Sequence, residues 1–194
     1  MDFEINSKGE IRKYIRAERK KKTLEQFCKW SAEICNQLLT NPVVNHADTI
    51  AVYYPLPDEP DIRPLIQKLY QQGKTILLPH VINDTEMTFF PYEGEKELIE
   101  GAFHIMESKI KVTSYKEKYG KILFLIPGMA FTTNGKRLGR GKGYYDRFLA
   151  NAESDKLKVS NISTIYKIGI CYPYQVLDDI PIEKNDILMD EVIF

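Results

Sequence analysis

Residues 121–128, KILFLIPG, are the most apolar run in the chain, and they restrict its fold more than any other stretch. A run so short and so continuously apolar suits a strand buried on both faces rather than one with a wet side. Such a strand sits centrally in a sheet and needs helices above and below it. The surrounding pattern supplies them. TIAVYYP (49–55) reads as a buried strand, IRPLIQKLYQQG (62–73) as a helix closed by Gly73, and KTILLPH (74–80) as the next strand. This β-α-β order implies parallel strands joined by a right-handed crossover. EMTFFPY (86–92), IYKIGICY (165–172) and the closing DILMDEVIF add strands, and EKELIEGAFHI reads as a short helix and a turn.

Two helices precede the sheet. Residues 7–22 carry a cap at Ser7 and Ile11, Tyr14, Ile15 and Glu18 at helical spacing, opposite a face of eight lysines and arginines. Thr23 with Gln26 forms a capping box for the second, whose stripe is Phe27, Trp30, Ile34 and Leu38, ending at Asn41-Pro42. AESDKLKVSN (152–161) reads as polar and exposed. With no internal repeat, the 194 residues are expected to form one open α/β domain, residues 1–194, with a mostly parallel sheet covered by helices on both faces.

Lysine plus arginine (27) equals aspartate plus glutamate (27), so no whole-molecule field favours nucleic acid or membrane, and any anion site must be local. No apolar run is long enough to span a bilayer, and MDFEINSKGE lacks the basic-then-apolar order of a signal peptide. Cys28, Cys35 and Cys171 show no metal or CxxC spacing and read as reduced, buried thiols of a cytoplasmic protein.

RLGRGKGYYDRFL (137–149) follows the apolar strand and places Gly139, Gly141 and Gly143 among Arg137, Arg140 and Lys142, just before a helix. Bare backbone lets amides approach a ligand, a helix N-terminus adds partial positive charge, and the cations add full charge, which together describe a phosphate site. In an open α/β sheet this is also where ligands bind, beyond the carboxyl ends of the strands. Neither standard phosphate motif fits. Gly135 to Gly141 is one residue too long for a P-loop, Gly143 replaces its hydroxyl residue, and the glycines run GxGxG rather than GxGxxG. The plainer alternative is a glycine-rich turn with solvated cations. Asp146, in the first helical turn, either favours the helix dipole or holds Mg²⁺ against phosphate oxygens. Of Tyr144 and Tyr145, one is expected in the core and one beside a flat ligand.

PGMAFTTNGKRLGRGKGYYDRFL (127–149) resembles the main motif of the 5-formyltetrahydrofolate cyclo-ligases, also called methenyltetrahydrofolate synthetases. KGEIR (8–12), YYPLPDEPD (53–61) and IGICYPYQVLDDIPIEKNDILMDEVI (168–193) resemble further elements of that family, in order and across nearly the whole chain. The chain departs from the usual pattern at Thr132, Ser108 and Asn185, where Asp, Pro and often His stand. The resemblance implies a fold similar to the sugar-phosphate isomerases and CoA transferases. It also implies ATP- and Mg²⁺-dependent closure of 5-formyltetrahydrofolate to 5,10-methenyltetrahydrofolate, with ADP and phosphate released. Carried over by residue, it implies that Lys8, Arg12 and the loop Arg137, Leu138, Gly139, Arg140, Gly141, Lys142, Gly143, Tyr144 and Tyr145 contact ATP. Tyr54 and Glu59, with Arg140, Gly141, Lys142, Gly143 and Tyr144, would meet the folate, and Asp146 and Asp186 the metal.

The chemistry asks for such a set. Phosphoryl transfer to an amide oxygen relies on positioning and charge, so cations and backbone donors matter more than a protein nucleophile; Arg140 and Lys142 are the expected catalytic cations. Spacing alone does not separate Glu59 from Asp58 and Asp61, or Asp186 from Asp178, Asp179 and Asp190. Lys8 and Arg12 lie one helical turn apart and can share a ligand. The expected partners are small molecules, with neither nucleic acid nor membrane, and the expected state is a monomer. The alternatives are a nucleic-acid-binding module built on the basic N-terminal helix, and an ATP-independent CoA transferase or isomerase on the same fold.

Overall fold

The computed structural model describes residues 7–109, 121–156 and 164–194. The last five residues of the polar stretch 152–161, and the first six of the chain, lie outside them. Its centre is a six-stranded sheet in the order β10-β9-β6-β1-β2-β3. The strands are β1 (Thr49–Ala51), β2 (Thr75–Val81), β3 (Met87–Pro91), β6 (Lys121–Pro127), β9 (Thr164–Ile170) and β10 (Glu191–Ile193). All neighbours are parallel except β2 and β3, which form a hairpin. The apolar run is β6, in the interior of the sheet as its composition requires. β1 ladders over only three residues, shorter than expected. Beyond one further bond, from the Val52 amide to the Leu77 carbonyl at 2.9 Å, the chain leaves the sheet as a loop.

Helices cover both faces. On one side, α2 (Leu24–Thr40), α3 (Pro42–His46) and α4 (Arg63–Gln71) bury Ile34, Leu38, Val44, Leu65 and Leu69 against Ile50, Leu78, Leu123 and Ile168. On the other, α5 (Tyr144–Lys156) lays Phe148 and Leu149 against Phe89, Phe124 and Ile126. The caps form as the sequence suggests. Ser7 Oγ accepts from the Glu10 amide at the start of α1 (Lys8–Arg19), Thr23 and Gln26 close their reciprocal box, and Gly73 ends α4 with φ of 81°. Asn41 ends α2 and its side chain caps α3.

Three features differ from expectation. Residues 95–108 hold two single 3₁₀ turns and a small antiparallel pair, β4 (Leu98–Glu100) with β5 (Met106–Ser108), rather than a helix and a turn. The segment after β6 folds into a hairpin, β7 (Ala130–Phe131) with β8 (Arg137–Leu138), before entering α5. Thr132 closes its turn by accepting the Lys136 amide at 3.0 Å, a task an aspartate oxygen would also perform. Cys35 and Cys171 are buried as expected, but Cys28 lies on the exposed side of α2.

The hairpin is docked by one ring. Phe131 is fully buried. It packs where a Cβ on Gly128 would fall 2.6 Å from its Cε2 and one on Gly169 would fall 2.7 Å from its Cδ1. The far side of the hairpin carries α1, through Ile11 and Ile15 against Met129, Ala130, Leu138 and Ile180. Gly169→Ala should therefore push Phe131 off the sheet, an overpacking penalty of about 1–3 kcal/mol. The expected result is a lower urea midpoint at unchanged slope; an unchanged midpoint would show that the ring does not rest on that glycine.

Candidate functional site

β1, β2 and β3 run outward on one side of the sheet, and β6, β9 and β10 on the other, so β1 and β6 flank a topological switch point. Loops leaving the carboxyl ends of such strands part and open a crevice. Here the loop after β1 carries Tyr53 to Asp61, and the segment after β6 carries the hairpin and the glycine-rich turn. Between them lies a cavity of about 610 Å³, within the range of small-molecule sites. Every residue assigned above to nucleotide, folate or metal lines it. The lining also includes residues that sequence reading did not single out. Pro79 and Val81 of β2, Met87 of β3, and Phe103 and Ile105 beside β5 make an apolar wall, and Glu183 joins the rim.

Gly141 and Gly143 adopt φ of 107° and 68°, a left-handed region costly for any residue with a Cβ. These two turns aim the chain into α5. Helix α5 is then fastened to the β2–β3 hairpin. Tyr144 donates its hydroxyl to the Asn83 carbonyl (3.0 Å), and Arg147 donates to the Thr85 carbonyl (2.7 Å) and back to the Lys142 carbonyl (2.8 Å). Arg12, from α1, donates Nε to the Gly139 carbonyl at 2.9 Å and lies over Gly141.

The cations differ in how they are engaged. Arg137 is buried: Nη2 reaches both oxygens of Asp146 at 2.8 Å, Nη1 reaches the Pro127 carbonyl, and the guanidinium lies 5.6 Å from the Tyr145 ring centre. Its Nε is buried without a hydrogen-bond partner. Asp146 thus pairs with an arginine rather than only favouring the helix dipole. Arg140 spans the cavity mouth to Asp58 and Glu59 on the opposite loop. Lys142 is exposed on the rim, and among the described residues its amine has no ion-pair partner.

The acidic loop resolves an ambiguity that spacing left open. Asp61 turns away to Arg63, Asp58 is partly exposed and meets Arg140, and Glu59 points inward, 8% exposed. Burial pushes the Glu59 carboxyl up against the opposing pull of Arg140 and the Leu56 amide. Burial also opposes the charge of Asp58, but there the arginine prevails and holds the carboxyl below the ordinary range. Of the C-terminal aspartates, only Asp186 reaches the cavity. Asp179 pairs with Lys136, and Asp190 accepts the Lys167 amide.

The sequence as a whole matches the model of the 5-formyltetrahydrofolate cyclo-ligase family over residues 4–194. It is 30% identical to the Escherichia coli K12 5-formyltetrahydrofolate cyclo-ligase over 181 residues, 92% of this chain and 95% of that protein. The fold is similar to the Aquifex aeolicus 5,10-methenyltetrahydrofolate synthetase (TM-score 0.76, 28% identity, 96% of this chain and 88% of that one). It is also similar to the Mycoplasma pneumoniae 5,10-methenyltetrahydrofolate synthetase (TM-score 0.70, 25% identity, 100% and 98%).

Asp186 and Lys8 join the two ends of the chain at the site. Lys8 Nζ donates to Asp186 Oδ2 at 2.6 Å, and the same oxygen accepts the Glu183 amide at 2.7 Å. Partial burial disfavours the Asp186 carboxylate, but the Lys8 hydrogen bond, the Glu183 amide and the nearby Arg137 outweigh it and hold its carboxyl below the usual value of 3.8. A depressed folded-state value means that this stabilisation is fully present above the unfolded-state value and is lost as pH falls through the folded one. Asp186→Asn should therefore lower unfolding free energy at neutral pH and flatten the acid-side slope below about pH 4. Parallel slopes for the two proteins in urea titrations from pH 2 to 6 would contradict the linkage.

Proposed function

Because the chain belongs to the 5-formyltetrahydrofolate cyclo-ligase family, we propose that it closes 5-formyltetrahydrofolate to 5,10-methenyltetrahydrofolate at this cavity, consuming ATP. The observation that carries the reading is the placement of the glycine-rich cationic turn and the acidic Glu59 loop on opposite lips of one crevice. The formyl carbon on N5 is an amide carbon, resistant to N10, and its oxygen leaves poorly. Transfer of the γ-phosphoryl of ATP to that oxygen makes the carbon electrophilic. N10 attacks and loses its proton, and the formyl oxygen departs within inorganic phosphate, leaving ADP and the methenyl product.

The residues divide between two ligands. The amides of Gly139, Gly141 and Gly143, with Lys8 and Arg12 from α1 and the rest of the 137–145 turn, hold the nucleotide phosphates, as anions are held at other helix N-termini. Glu59 accepts hydrogen bonds from pterin N–H groups and Tyr54 borders the same ligand, while the apolar wall takes its ring system. Arg140 and Lys142 face charge that develops on the phosphoryl group, arginine as a fork and lysine as a point charge. Arg137, buried beneath the turn, fixes Asp146.

Asp146 and Asp186 are the carboxylates that would hold Mg²⁺. Both line the cavity, and Lys8 and the Glu183 amide share Oδ2 of Asp186, leaving Oδ1 without a donor among the described residues. One or two carboxylates beside substrate phosphates is the usual donor set for this ion, which when bound offsets phosphate charge. Lys8 and Arg12 of the basic N-terminal helix line the cavity. Among the described residues no helix is long and apolar enough to cross a membrane.

Methenyl product should appear, by its absorbance, only when 5-formyltetrahydrofolate, ATP and Mg²⁺ are all present. Lys142→Ala should lower kcat by about a hundredfold or more, the typical loss when one preorganised charge donor is removed. Product formed without ATP would overturn the reaction, and near-normal single turnover in the variant would remove Lys142 from its role.

A further inference from the structure

The arginine proposed to face the transferred phosphoryl already meets two carboxylates, through Nε and both terminal nitrogens. Arg140 Nη1 meets Asp58 Oδ2 at 3.0 Å and Nη2 meets Asp58 Oδ1 at 2.5 Å, a two-pronged pairing. Nη2 and Nε also reach Glu59 Oε1, at 3.0 and 3.3 Å. A guanidinium held this way by one partly exposed carboxylate and one buried one cannot present the same N–H groups to phosphate. Nucleotide has to compete for them.

The two carboxylates are not equivalent competitors. Glu59 is buried, and burial favours its neutral form. Asp58 is about one-third exposed and is kept ionised by the arginine, with Arg19 adding to the field. Arg19 also donates Nη2 to the Pro57 carbonyl at 3.0 Å, which anchors the residue before Asp58. The loop that presents Asp58 is braced further by Tyr172, whose hydroxyl donates to the Glu59 carbonyl at 3.0 Å. Asp58 is therefore a fixed, ionised acceptor rather than a mobile surface carboxylate.

Resting on the functional reading above, we infer that Asp58 is a positioning residue: it holds Arg140 on the folate-side loop in the unliganded protein and yields it to the nucleotide phosphates on binding. The resting contact also screens the cation at the mouth, so that anions lacking the rest of the nucleotide's contacts gain little from it. Asp58 touches no reacting atom in this account; it acts through Arg140.

The test is a direct titration of the full chain with Mg²⁺ and a non-hydrolysable ATP analogue, followed by calorimetry. Asp58→Asn keeps the side-chain shape but removes the charge and one prong of the fork. It should tighten nucleotide binding about fivefold or more, the lower bound of ordinary coupling between sites. Asp61→Asn makes the same charge change on the same loop, where the partner is Arg63, and should shift affinity less than twofold by the same reasoning on screened, more distant charge. In an Arg140→Ala background the Asp58→Asn effect should vanish, as a double-mutant cycle requires when the arginine transmits it. Equal effects at positions 58 and 61, or an effect that survives without Arg140, would overturn the positioning role alone. A wild-type protein that binds no nucleotide would overturn the functional reading and, with it, this one.

Discussion

Parallel pairing of β1 with β6 is the constraint on which the site depends. Because the chain builds outward from this pair in both directions, the loops after them have no strand between them and part at the carboxyl edge. One loop carries a buried glutamate, the other a bare backbone and cations. Neither could form the site alone. The pairing is secured by the apolar ladder, while Phe131 docks the hairpin onto the sheet against Gly128 and Gly169, and the hairpin in turn seats α1. Residues as far apart in sequence as Lys8 and Asp186 meet because of that seating.

Charge at the cavity is arranged in pairs of unequal character. Arg137 is buried and pairs with a partly exposed Asp146, Lys8 with Asp186 is partly buried and joins the chain ends, and Arg140 with Asp58 and Glu59 is open to competition. Burying a single ion is costly, and pairing each cation with a carboxylate offsets much of that cost. Arg12 and Lys142 are different, since among the described residues no carboxylate pairs with either, and Arg12 is held by the Gly139 carbonyl instead. Paired cations beside these two give a site that is stable when empty and still attracts an anion.

Much of this arrangement is legible from residue pattern, because it rests on local physics. The continuous apolar run marked β6, side-chain caps marked the starts of α1 and α2, and glycines beside cations marked the turn into α5. What local pattern could not reveal depends on pairing across the chain. β1 ends after three residues although β2 and β6 both continue past it, because the chain leaves the sheet after Val52 to form the acidic loop, and TIAVYYP remains β-prone to its end. The β7–β8 hairpin hides inside a stretch that reads as loop, because two-residue strands leave no periodicity. Asp58, Glu59 and Asp61 are indistinguishable by spacing and are told apart only by burial and by which arginine each meets. Asp186 among its neighbouring aspartates is the same case: it reaches the cavity because the C-terminal segment folds back beside α1. The apolar wall from β2, β3 and the turn before β5 left no signal beyond ordinary hydrophobicity.

The central claim is that bare amides and fixed cations entering α5 hold the terminal phosphates of ATP. Hydrogen–deuterium exchange with and without a non-hydrolysable ATP analogue and Mg²⁺ tests it most directly. The account predicts slowed exchange concentrated in residues 139–145, with smaller protection at the start of α1. Tight nucleotide binding that left the exchange of those amides unchanged would contradict it.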